Sequence, residues 1–418
     1  MIWLDEITYE QACALRREFG TPCFLYAEDV LRAATEAAKG FPAAYGLTVR
    51  YAMKAAPNAN LLRRFRDWGL SFDASSLHEA LRLETAGVPL ERVSLSSQQL
   101  DPGFVDLHRR GMAVNACSLD QLRRFGEAFP GGRVGLRFNP GLGSGGTNRT
   151  NVGGPASSFG IWHESLETAR ELAAKHGLVV ERIHSHIGSG SDPEVWKRVA
   201  GMTLDLARAF ATVETVNLGG GYKVARMPGE TASDLQLIGG PVRALFERFA
   251  EETGRKLRLE IEPGTFLVAN AGAVLASVDD VVGTGEEGYR FIKLDTGMTE
   301  ILRPSLYGAQ HPIRILHPRG EAGERDYVVV GHCCESGDIL TPAPGDPELL
   351  APRRLPEARA GDLCLVGGAG AYCAAMSAKN YNSYPEAPEV LLGADGTARL
   401  IRRRQTLAQI IENEIAVE

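Results

Sequence analysis

Between about residues 28 and 265, short β-rich runs of apolar residues alternate with amphipathic stretches. The amphipathic stretches place apolar residues at helical spacing, and several of them end at a glycine, as helices often do. The eight β-rich runs lie at 48–54, 70–74, 93–97, 113–117, 133–139, 182–188, 214–220 and 257–263. Eight strands that alternate with helices predict a parallel sheet closed into a (β/α)8, TIM-like barrel.

The pattern changes after about residue 266, where β-rich runs are separated by glycine and proline instead of helical stretches. Such runs predict a C-terminal antiparallel β domain. We therefore predict two domains, a barrel over 26–265 and a β-rich domain over 266–418, with residues 1–25 packing on the β-rich domain. The proline-rich segment 341–358 is predicted to be a surface loop.

The composition indicates a globular cytoplasmic protein. The chain has 418 residues, of which 44% are hydrophobic and 23% are charged, and no apolar run approaches the ~20 residues of a membrane span. The N-terminus carries acidic residues where a signal peptide would carry basic ones. The net charge of −7 is spread along the chain, which argues against nucleic acid or a membrane as partner. Seven cysteines without a CxxC pair favour reduced thiols and no metal.

Polar and glycine residues recur where the predicted strands end. Active sites of such barrels lie at the C-terminal ends of the strands, with phosphate often bound after strands seven and eight. The repeated placement therefore predicts a site at this end of the barrel. The residues concerned are Lys54, Asp73, Asn139, His186 with Ser189, Gly219 to Gly221, and Glu262.

Lys54 is the first candidate for chemistry. A lysine at a strand end is either solvated or forms a Schiff base with an aldehyde cofactor. Glu262 could keep the nitrogen of a pyridine ring protonated, or it could belong to a structural ion pair. A neutral imidazole of His186 could stack on such a ring, although a histidine satisfied in the barrel core is also compatible. His184 and His186 lack a neighbouring carboxylate ligand, so a metal site is a minor alternative.

Three glycine-rich or cysteine-containing segments each allow two interpretations. The segment LGGGY (218–222) could present bare N–H groups to a phosphate or form a tight turn. The segment 141–160 could contact substrate or form a surface lid. In GHCCESGD (331–338), a thiol beside a carboxylate could donate a proton and bind an amine, or two cysteines could lie buried in a strand.

With these residues assembled, the chain resembles the pyridoxal-phosphate-dependent (PLP-dependent) decarboxylases of alanine-racemase-like fold, and among them the diaminopimelate decarboxylases. The resemblance covers nearly the whole chain and follows the family's motif order. The motifs are YAMKA, HSHIGSG, NLGGGY, EIEPGTFLVANAG, LDTGMTEILRPSLYGA, CCESGD, GAGAYCAAMS and NYNSYPEAPEVLL. The resemblance implies decarboxylation of meso-2,6-diaminopimelate to L-lysine and CO2, the last step of lysine biosynthesis.

The resemblance also implies a role for each matching residue. Lys54 would carry PLP, His186 would stack on its ring and Glu262 would pair with its ring nitrogen. The phosphate would be held by Ser189, Gly220, Gly221, Gly264, Thr265 and Tyr372. Arg303, Tyr307 and Tyr372 would bind substrate. Cys334 would protonate the product carbon and Glu335 would bind the distal ammonium, both from the partner subunit of a homodimer.

One position departs from the family pattern, because Thr265 stands where the family usually has a substrate-binding arginine. Threonine brings no charge and no bidentate fork. A decarboxylase for another diamino or modified amino acid is therefore an alternative. An amino-acid racemase and a non-enzymatic PLP-binding protein are less compatible with CCESGD and with the long β domain. Lys379, which looks like an inserted residue, could compensate for the missing charge.

Overall fold

The computed structural model describes residues 2–144, 152–318 and 323–417. The chain forms two compact units. The first, called the barrel unit, comprises Ala33–Val224 and Thr231–Leu267. The second, called the β unit, comprises Met1–Arg32, Ala225–Glu230 and Val268–Glu418. No helix in the described part of the chain has the length and apolar character needed to cross a membrane.

The twenty strands of the described residues follow in chain order. They are β1 Cys23–Ala27, β2 Leu47–Ala52, β3 Ser71–Ala74, β4 Val93–Leu95, β5 Ala113–Ala116, β6 Arg133–Asn139, β7 Ile161–Trp162, β8 Val179–Ser185, β9 Thr215–Asn217, β10 Arg258–Ile261, β11 Gly272–Gly283, β12 Arg290–Leu294, β13 Ile313–Leu316, β14 Glu324–Val330, β15 Pro342–Ala343, β16 Asp346–Leu350, β17 Arg353–Pro356, β18 Leu363–Gly367, β19 Glu389–Leu392 and β20 Ala398–Arg402.

Thirteen α-helices occur in the same residues. They are α1 Ile2–Glu6, α2 Tyr9–Phe19, α3 Glu28–Lys39, α4 Ala59–Asp67, α5 Leu77–Thr85, α6 Phe104–Arg109, α7 Leu119–Ala128, α8 Leu166–Lys175, α9 Pro193–Arg208, α10 Leu235–Thr253, α11 Thr265–Val268, α12 Arg303–Tyr307 and α13 Leu407–Ile410. Short 3-10 turns include Met53–Ala55 and Tyr381–Ser383.

The barrel unit confirms the predicted fold. Its sheet runs in the order β5, β4, β3, β2, β10, β9, β8, β6, and β5 pairs with β6 to close the ring. All pairings in this ring are parallel. The strands are apolar and largely buried because helices cover a parallel barrel from outside. Each of the eight predicted runs overlaps one of these strands.

Side-chain caps begin several of the helices that follow the barrel strands. Ser76 and Ser118 accept N–H hydrogen bonds at the starts of α5 and α7, and Asp192 and Asp234 do the same at α9 and α10. Such caps satisfy helical N–H groups that have no partner within the helix. One residue separates Ser76 and Ser118 from the strands before them, so these two turns hold the following helices close to the strand ends.

A buried ion network fills one layer of the barrel interior. The carboxylate of Glu260 accepts hydrogen bonds from Arg50 at 2.7 Å and from Arg182 at 2.9 Å. Burial alone would raise the pKa of Glu260, but the two guanidinium groups lower it to about 2. Asn217 donates from Nδ2 to Glu260 at 3.2 Å and to Glu262 at 2.6 Å, which links this layer to the strand ends.

The β unit contains a mostly antiparallel sheet in the order β17, β14, β12, β11, β1, β19, β20, with β18 pairing both β11 and β13. Two pairings are parallel, β1 with β19 and β12 with β14, so the unit is not purely antiparallel. Its core includes residues from the N-terminal helices and from the sheet. These are Leu4, Ile7, Ala12, Leu15, Cys23, Leu25, Ala273, Leu275, Leu316, Leu363, Leu365 and Val390.

The prediction of a loop over 341–358 is wrong. The segment contains β15 and β16, which pair with each other as a separate two-stranded sheet, and β17, which pairs with β14. Proline is compatible with edge strands because one side of such a strand needs no N–H donor. The prolines of this segment therefore do not prevent strand pairing, although they concealed it in the sequence.

Candidate active site

Lys54 lies in the 3-10 turn Met53–Ala55, two residues beyond the end of β2. Its Nζ atom is 3.1 Å from Oγ of Ser75 and 3.7 Å from Oδ2 of Asp73. The side chain is 40% exposed, whereas that of Asp73 is 2% exposed. The predicted lysine is therefore accessible at the strand ends and is oriented by groups on the neighbouring strand and the loop after it.

Asp73 is a buried carboxyl whose Oδ1 atom has no hydrogen-bond partner among the described residues. Burial and the nearby charge of Glu262 raise the pKa of Asp73 to about 7, although Lys54 opposes this shift. Glu79 lies beyond it and accepts the backbone N–H of Ser75 at 2.7 Å. A carboxyl with a pKa near neutrality beside Lys54 can accept or return a proton.

Glu262 follows β10 and points into the same end of the barrel unit. Its Oε2 atom is 3.2 Å from Nε2 of His184, and its Oε1 atom accepts from Asn217. Burial acts to raise the pKa of Glu262, but the interactions with His184, Lys54 and His186 prevail and hold it well below its usual range. Burial lowers the pKa of His184. Glu262 is thus an anion against a neutral histidine.

His186 follows β8 and carries a neutral imidazole. Burial and then the charges of Arg137 and Lys54 lower the pKa of His186 well below its usual value. Its Nδ1 atom has no hydrogen-bond partner among the described residues. Among these residues, no group of three or more histidine, cysteine, aspartate or glutamate side chains is arranged to hold a metal ion.

Glycines let three strand-end loops approach one another. A Cβ on Gly221 would overlap the carbonyl oxygen of Gly188, and a Cβ on Gly220 would overlap that of Glu262. The N–H of Gly190 donates to Gly221 at 3.0 Å, which joins the loop containing Ser189 to the loop after β9. A larger residue would separate these loops, so the glycines create a close-packed backbone surface able to take an anion.

The remaining strand-end segments complete this surface. Gly264 lies against Ala52 and Ala55, and Thr265 begins α11. Ser144 pairs with Gly188, and its N–H donates to Ile187 at 2.7 Å. Residues 145–151 of the predicted lid lie outside the described residues.

Arg303 and Tyr307 lie on the short helix α12 of the β unit. The Nη1 atom of Arg303 is 3.0 Å from Nε2 of His311, and the hydroxyl of Tyr307 is 4.0 Å from the sulfur of Met376. Tyr372 follows β18 with a backbone φ of 56°, a left-handed conformation that is uncommon for a residue other than glycine. Such conformations persist where the surrounding structure fixes them.

The two adjacent cysteines follow β14 and differ in environment. Cys333 is half-buried, and burial together with Asp338 raises the pKa of its thiol to about 12. Cys334 and Glu335 are exposed. Asp338 accepts the backbone N–H groups of Met298 at 2.7 Å and of Cys333 at 2.9 Å, which fixes this loop.

Further contacts hold the loop from the segment after residue 379. Asn382 Oδ1 accepts the N–H of Cys334 at 2.8 Å. The ring of Tyr384 stacks on His332 with centroids 3.7 Å apart. Lys379 is bound to Glu386 at 2.8 Å. Its ammonium is therefore already paired, which argues against Lys379 as the compensating charge.

Comparison with known proteins identifies the family to which the chain belongs. Residues 27–269 match the family model described as the pyridoxal binding domain of pyridoxal-dependent decarboxylases. A diaminopimelate decarboxylase from Escherichia coli strain K12 is 36% identical over 98% of this chain and 97% of its own. The chain belongs to this family of decarboxylases. It is a PLP-dependent enzyme, as the resemblance implied.

Solved structures agree with the assignment. A crystal structure of diaminopimelate decarboxylase matches 97% of this chain and 96% of its own, with a TM-score of 0.90 and 36% identity. The Helicobacter pylori diaminopimelate decarboxylase complexed with L-lysine matches 96% of this chain and 98% of its own, with a TM-score of 0.82 and 27% identity. This decarboxylase therefore shares the fold over both units.

The barrel unit of this decarboxylase suits PLP in four respects. An accessible amine, Lys54, can bind the aldehyde. A buried anion, Glu262, can hold a proton on a ring nitrogen, and the unpartnered Nδ1 of His186 belongs to a neutral ring that can stack on the cofactor. The glycine surface at Gly220 and Gly221 can take a phosphate. These observations support the predicted assignments, which otherwise remain predictions.

Some residues near the candidate groups were not singled out from the sequence. Arg137 projects from β6 and influences the pKa values of both Asp73 and His186. Asp338 and Asn382 shape the loop of Cys334, and Arg226 influences the pKa of His311. The motif CCESGD contained Asp338, but its partners come from segments far away in sequence.

Proposed function

We propose that this decarboxylase converts meso-2,6-diaminopimelate to L-lysine and CO2, the last step of lysine biosynthesis. The observation that carries the proposal is the 36% identity with Escherichia coli diaminopimelate decarboxylase over 98% of the chain. Retention of Arg303, Tyr307 and Glu335 supports the same substrate. These residues offer a cation, a hydroxyl and an anion, which suit a substrate with a carboxylate and an ammonium at its distal end.

The barrel unit is proposed to bind and orient the cofactor. PLP, when bound, supplies the electron sink that accepts the bonding electrons as CO2 leaves. Lys54 binds the cofactor aldehyde, and Glu262 holds the proton on its ring nitrogen. His186 stacks on the ring, while Ser189, Gly220, Gly221, Gly264, Thr265 and Tyr372 bind the phosphate. Asp73, whose Oδ2 atom is 3.7 Å from Nζ of Lys54, would exchange a proton with the amine of Lys54.

The β unit is proposed to bind the distal part of the substrate. Arg303, Tyr307 and Tyr372 bind carboxylate, and Glu335 binds the distal ammonium. The Sγ atom of Cys334 delivers the proton that replaces CO2 on the reacting carbon. Cys334 is suited to this task because it is exposed, whereas Cys333 is half-buried and held against Asp338.

We further propose a homodimer in which Cys334 and Glu335 act in the partner subunit's site. Support comes from the exposure of residues 334–336 at the tip of a loop that Asp338 and Asn382 hold in place. A rigid exposed loop that carries reactive groups suits delivery to a neighbouring subunit. A cytoplasmic location is proposed because all seven cysteines are unpaired.

The test combines substrate and cofactor chemistry. Purified protein is incubated with meso-diaminopimelate, and CO2 and L-lysine are measured, with D-lysine and D-ornithine as substrates that lack the distal carboxylate. In parallel, borohydride reduction should fix the cofactor to the peptide containing Lys54 in wild type and in the surface variant Lys197→Ala, but not in Lys54→Ala. A higher kcat/KM for D-lysine or D-ornithine would contradict the proposed substrate.

A decarboxylase for another diamino acid is the second candidate. Thr265 is the observation that favours it, because a neutral side chain stands at the family's arginine position. The substrate comparison above decides between the two candidates.

A further inference from the structure

Two arginines of the β unit, Arg226 and Arg303, lie close enough for the charge of Arg303 to act on Arg226. Burial and then the charge of Arg303 lower the pKa of Arg226 to about 9. Among the residues that the structure describes, neither guanidinium forms an ion pair with a carboxylate. Like charges held together in a partly buried region are unfavourable unless an anion binds them.

Neighbouring backbone carbonyls fix the two side chains. His311 Nδ1 is 2.8 Å from the carbonyl oxygen of Gly367, so this nitrogen carries the proton. Nε2 is then the acceptor for Arg303 Nη1 at 3.0 Å. The next carbonyl, that of Gly368, accepts from Nε of Arg226 at 3.1 Å. The end of β18 and the residue after it thus orient both guanidinium groups, that of Arg303 through His311, while leaving other N–H donors on each of them.

Arg226 retains a donor that no described residue satisfies. Its Nη2 atom is fully buried and has no hydrogen-bond partner among these residues. The nearby carboxylate of Glu230 is turned to the backbone, where it accepts the N–H groups of Arg226 at 2.7 Å and of Met227 at 3.4 Å. A buried guanidinium donor without an acceptor is costly, so an acceptor from a ligand fits this position.

We propose that Arg226, together with Arg303, binds the substrate carboxylate that the reaction leaves in place. A carboxylate offers two oxygens and one negative charge, which match two guanidinium groups that form no ion pair within the described part of the chain. Tyr372, a predicted substrate contact, also influences the pKa of Arg226. The inference rests on the proposed function for the ligand's identity. In this role, Arg226 supplies the positive charge that Thr265 lacks.

The experiment uses two ligands that differ only in this carboxylate. L-lysine carries it, whereas cadaverine, the corresponding diamine, does not. In Arg226→Gln, the KM for meso-diaminopimelate and the inhibition constant of L-lysine should rise about 10- to 100-fold, since a charge-assisted hydrogen bond is lost. Inhibition by cadaverine should change less than about twofold, and kcat should stay near that of wild type because the contact is the same before and during reaction.

Arg314→Gln is the matched control. Arg314 is also a partly buried arginine of the β unit, and its Nη1 donates to the carbonyls of Leu4 and Ile7 at 2.8 Å each. This variant should bind L-lysine and cadaverine as wild type does. The absorbance of bound cofactor and the Tm report whether each variant is intact, and Arg226→Lys, which keeps the charge, replaces Arg226→Gln if the latter does not fold.

The outcomes separate this inference from the proposed function. Equal weakening of L-lysine and cadaverine, or an unchanged KM and L-lysine constant, would overturn the role of Arg226. If wild type binds L-lysine through Arg226 but does not decarboxylate meso-diaminopimelate, the carboxylate site stands and the proposed function fails. If Arg226→Lys replaces the unfolded glutamine variant, weaker binding of L-lysine with unchanged binding of cadaverine agrees with the proposal, because lysine lacks the planar fork of arginine. An unchanged L-lysine constant, or equal loss of both ligands, contradicts it.

Discussion

The ammonium of Lys54 lies 3.7 Å from Oδ2 of Asp73. Asp73 lies on β3, and Lys54 lies in the turn after β2, the parallel neighbour of β3. Lys54 lowers the pKa of Asp73, yet burial and Glu262 prevail, and the pKa rises to about 7. Asp73 therefore gains or loses its proton in the neutral range, directly beside the ammonium of Lys54.

Replacing Asp73 by asparagine should change how stability depends on pH. Between about pH 4 and pH 7, the folded protein keeps a proton on Asp73 that the unfolded chain has lost, so the free energy of unfolding falls as pH rises. Asp73→Asn removes this slope. In cofactor-free protein, the free energy of unfolding of wild type should fall by about 1–3 kcal/mol more than that of the variant between pH 4 and pH 8. Denaturant unfolding at several pH values measures this difference. If the free energies of unfolding of both proteins change in parallel with pH, the raised pKa of Asp73 is contradicted.

Replacing Glu260 by glutamine should strongly destabilise the barrel unit. Arg50 and Arg182 would remain buried without their anion, which costs about 3–5 kcal/mol at pH 7. The pKa of Glu260 is lowered from 4.5 to about 2, so its contribution is complete above pH 4.5 and declines as pH falls toward 2. The difference from wild type, measured by denaturant unfolding, should shrink over that range.

Glu36→Gln is the control for this variant. Glu36 forms an exposed pair with Lys39 at 2.9 Å, and such pairs contribute less than about 1 kcal/mol. A similar loss in both variants would mean that the buried network has no special contribution to stability.

Mixing inactive variants should test whether Cys334 acts across a dimer. Lys54→Ala and Cys334→Ala protomers together form mixed dimers in which one of two sites has both residues intact. An equal mixture should recover about a quarter of wild-type activity if exchange is random.

A second mixture is the control, because Lys54 and Glu262 lie in the same barrel unit. Lys54→Ala mixed with Glu262→Gln should recover nothing beyond the activity of either variant. If the Cys334 mixture forms mixed dimers and also recovers nothing, Cys334 acts within its own subunit or not at all.

The sequence predicts the barrel well because its local signals and its tertiary structure agree. Each strand is a short apolar run, and Ser76 and Ser118 mark helix starts directly after strands. The strand boundaries are less exact, since Lys54 lies in a turn after β2 instead of on the strand. Proline hides strands over 341–358, because its effect depends on whether a strand lies at an edge.

The candidate site is only partly visible in the sequence. Lys54, His186 and Glu262 lie at strand ends, where barrel geometry predicts chemistry. The bond between Arg50 and Glu260 joins residues 210 positions apart, and nothing local marks either residue as buried. Arg226 is similar, because its Nη2 atom lacks a hydrogen-bond partner among the described residues, and this becomes evident only when its neighbours in space are known.

Introducing an arginine at Thr265 should reveal whether Arg226 already supplies the charge that the family places there. If the two positions serve the same substrate carboxylate, a new arginine adds little to wild type, because that carboxylate is already bound. We expect Thr265→Arg to lower the KM for meso-diaminopimelate less than about threefold in wild type. In Arg226→Gln it should lower the raised KM by about tenfold or more, the size of one charge-assisted hydrogen bond. The measurement is a double-mutant cycle in KM, with cofactor absorbance as the check on folding. Additive effects, equal in both backgrounds, would show that the two positions act independently, and the proposed compensation for Thr265 would then be wrong.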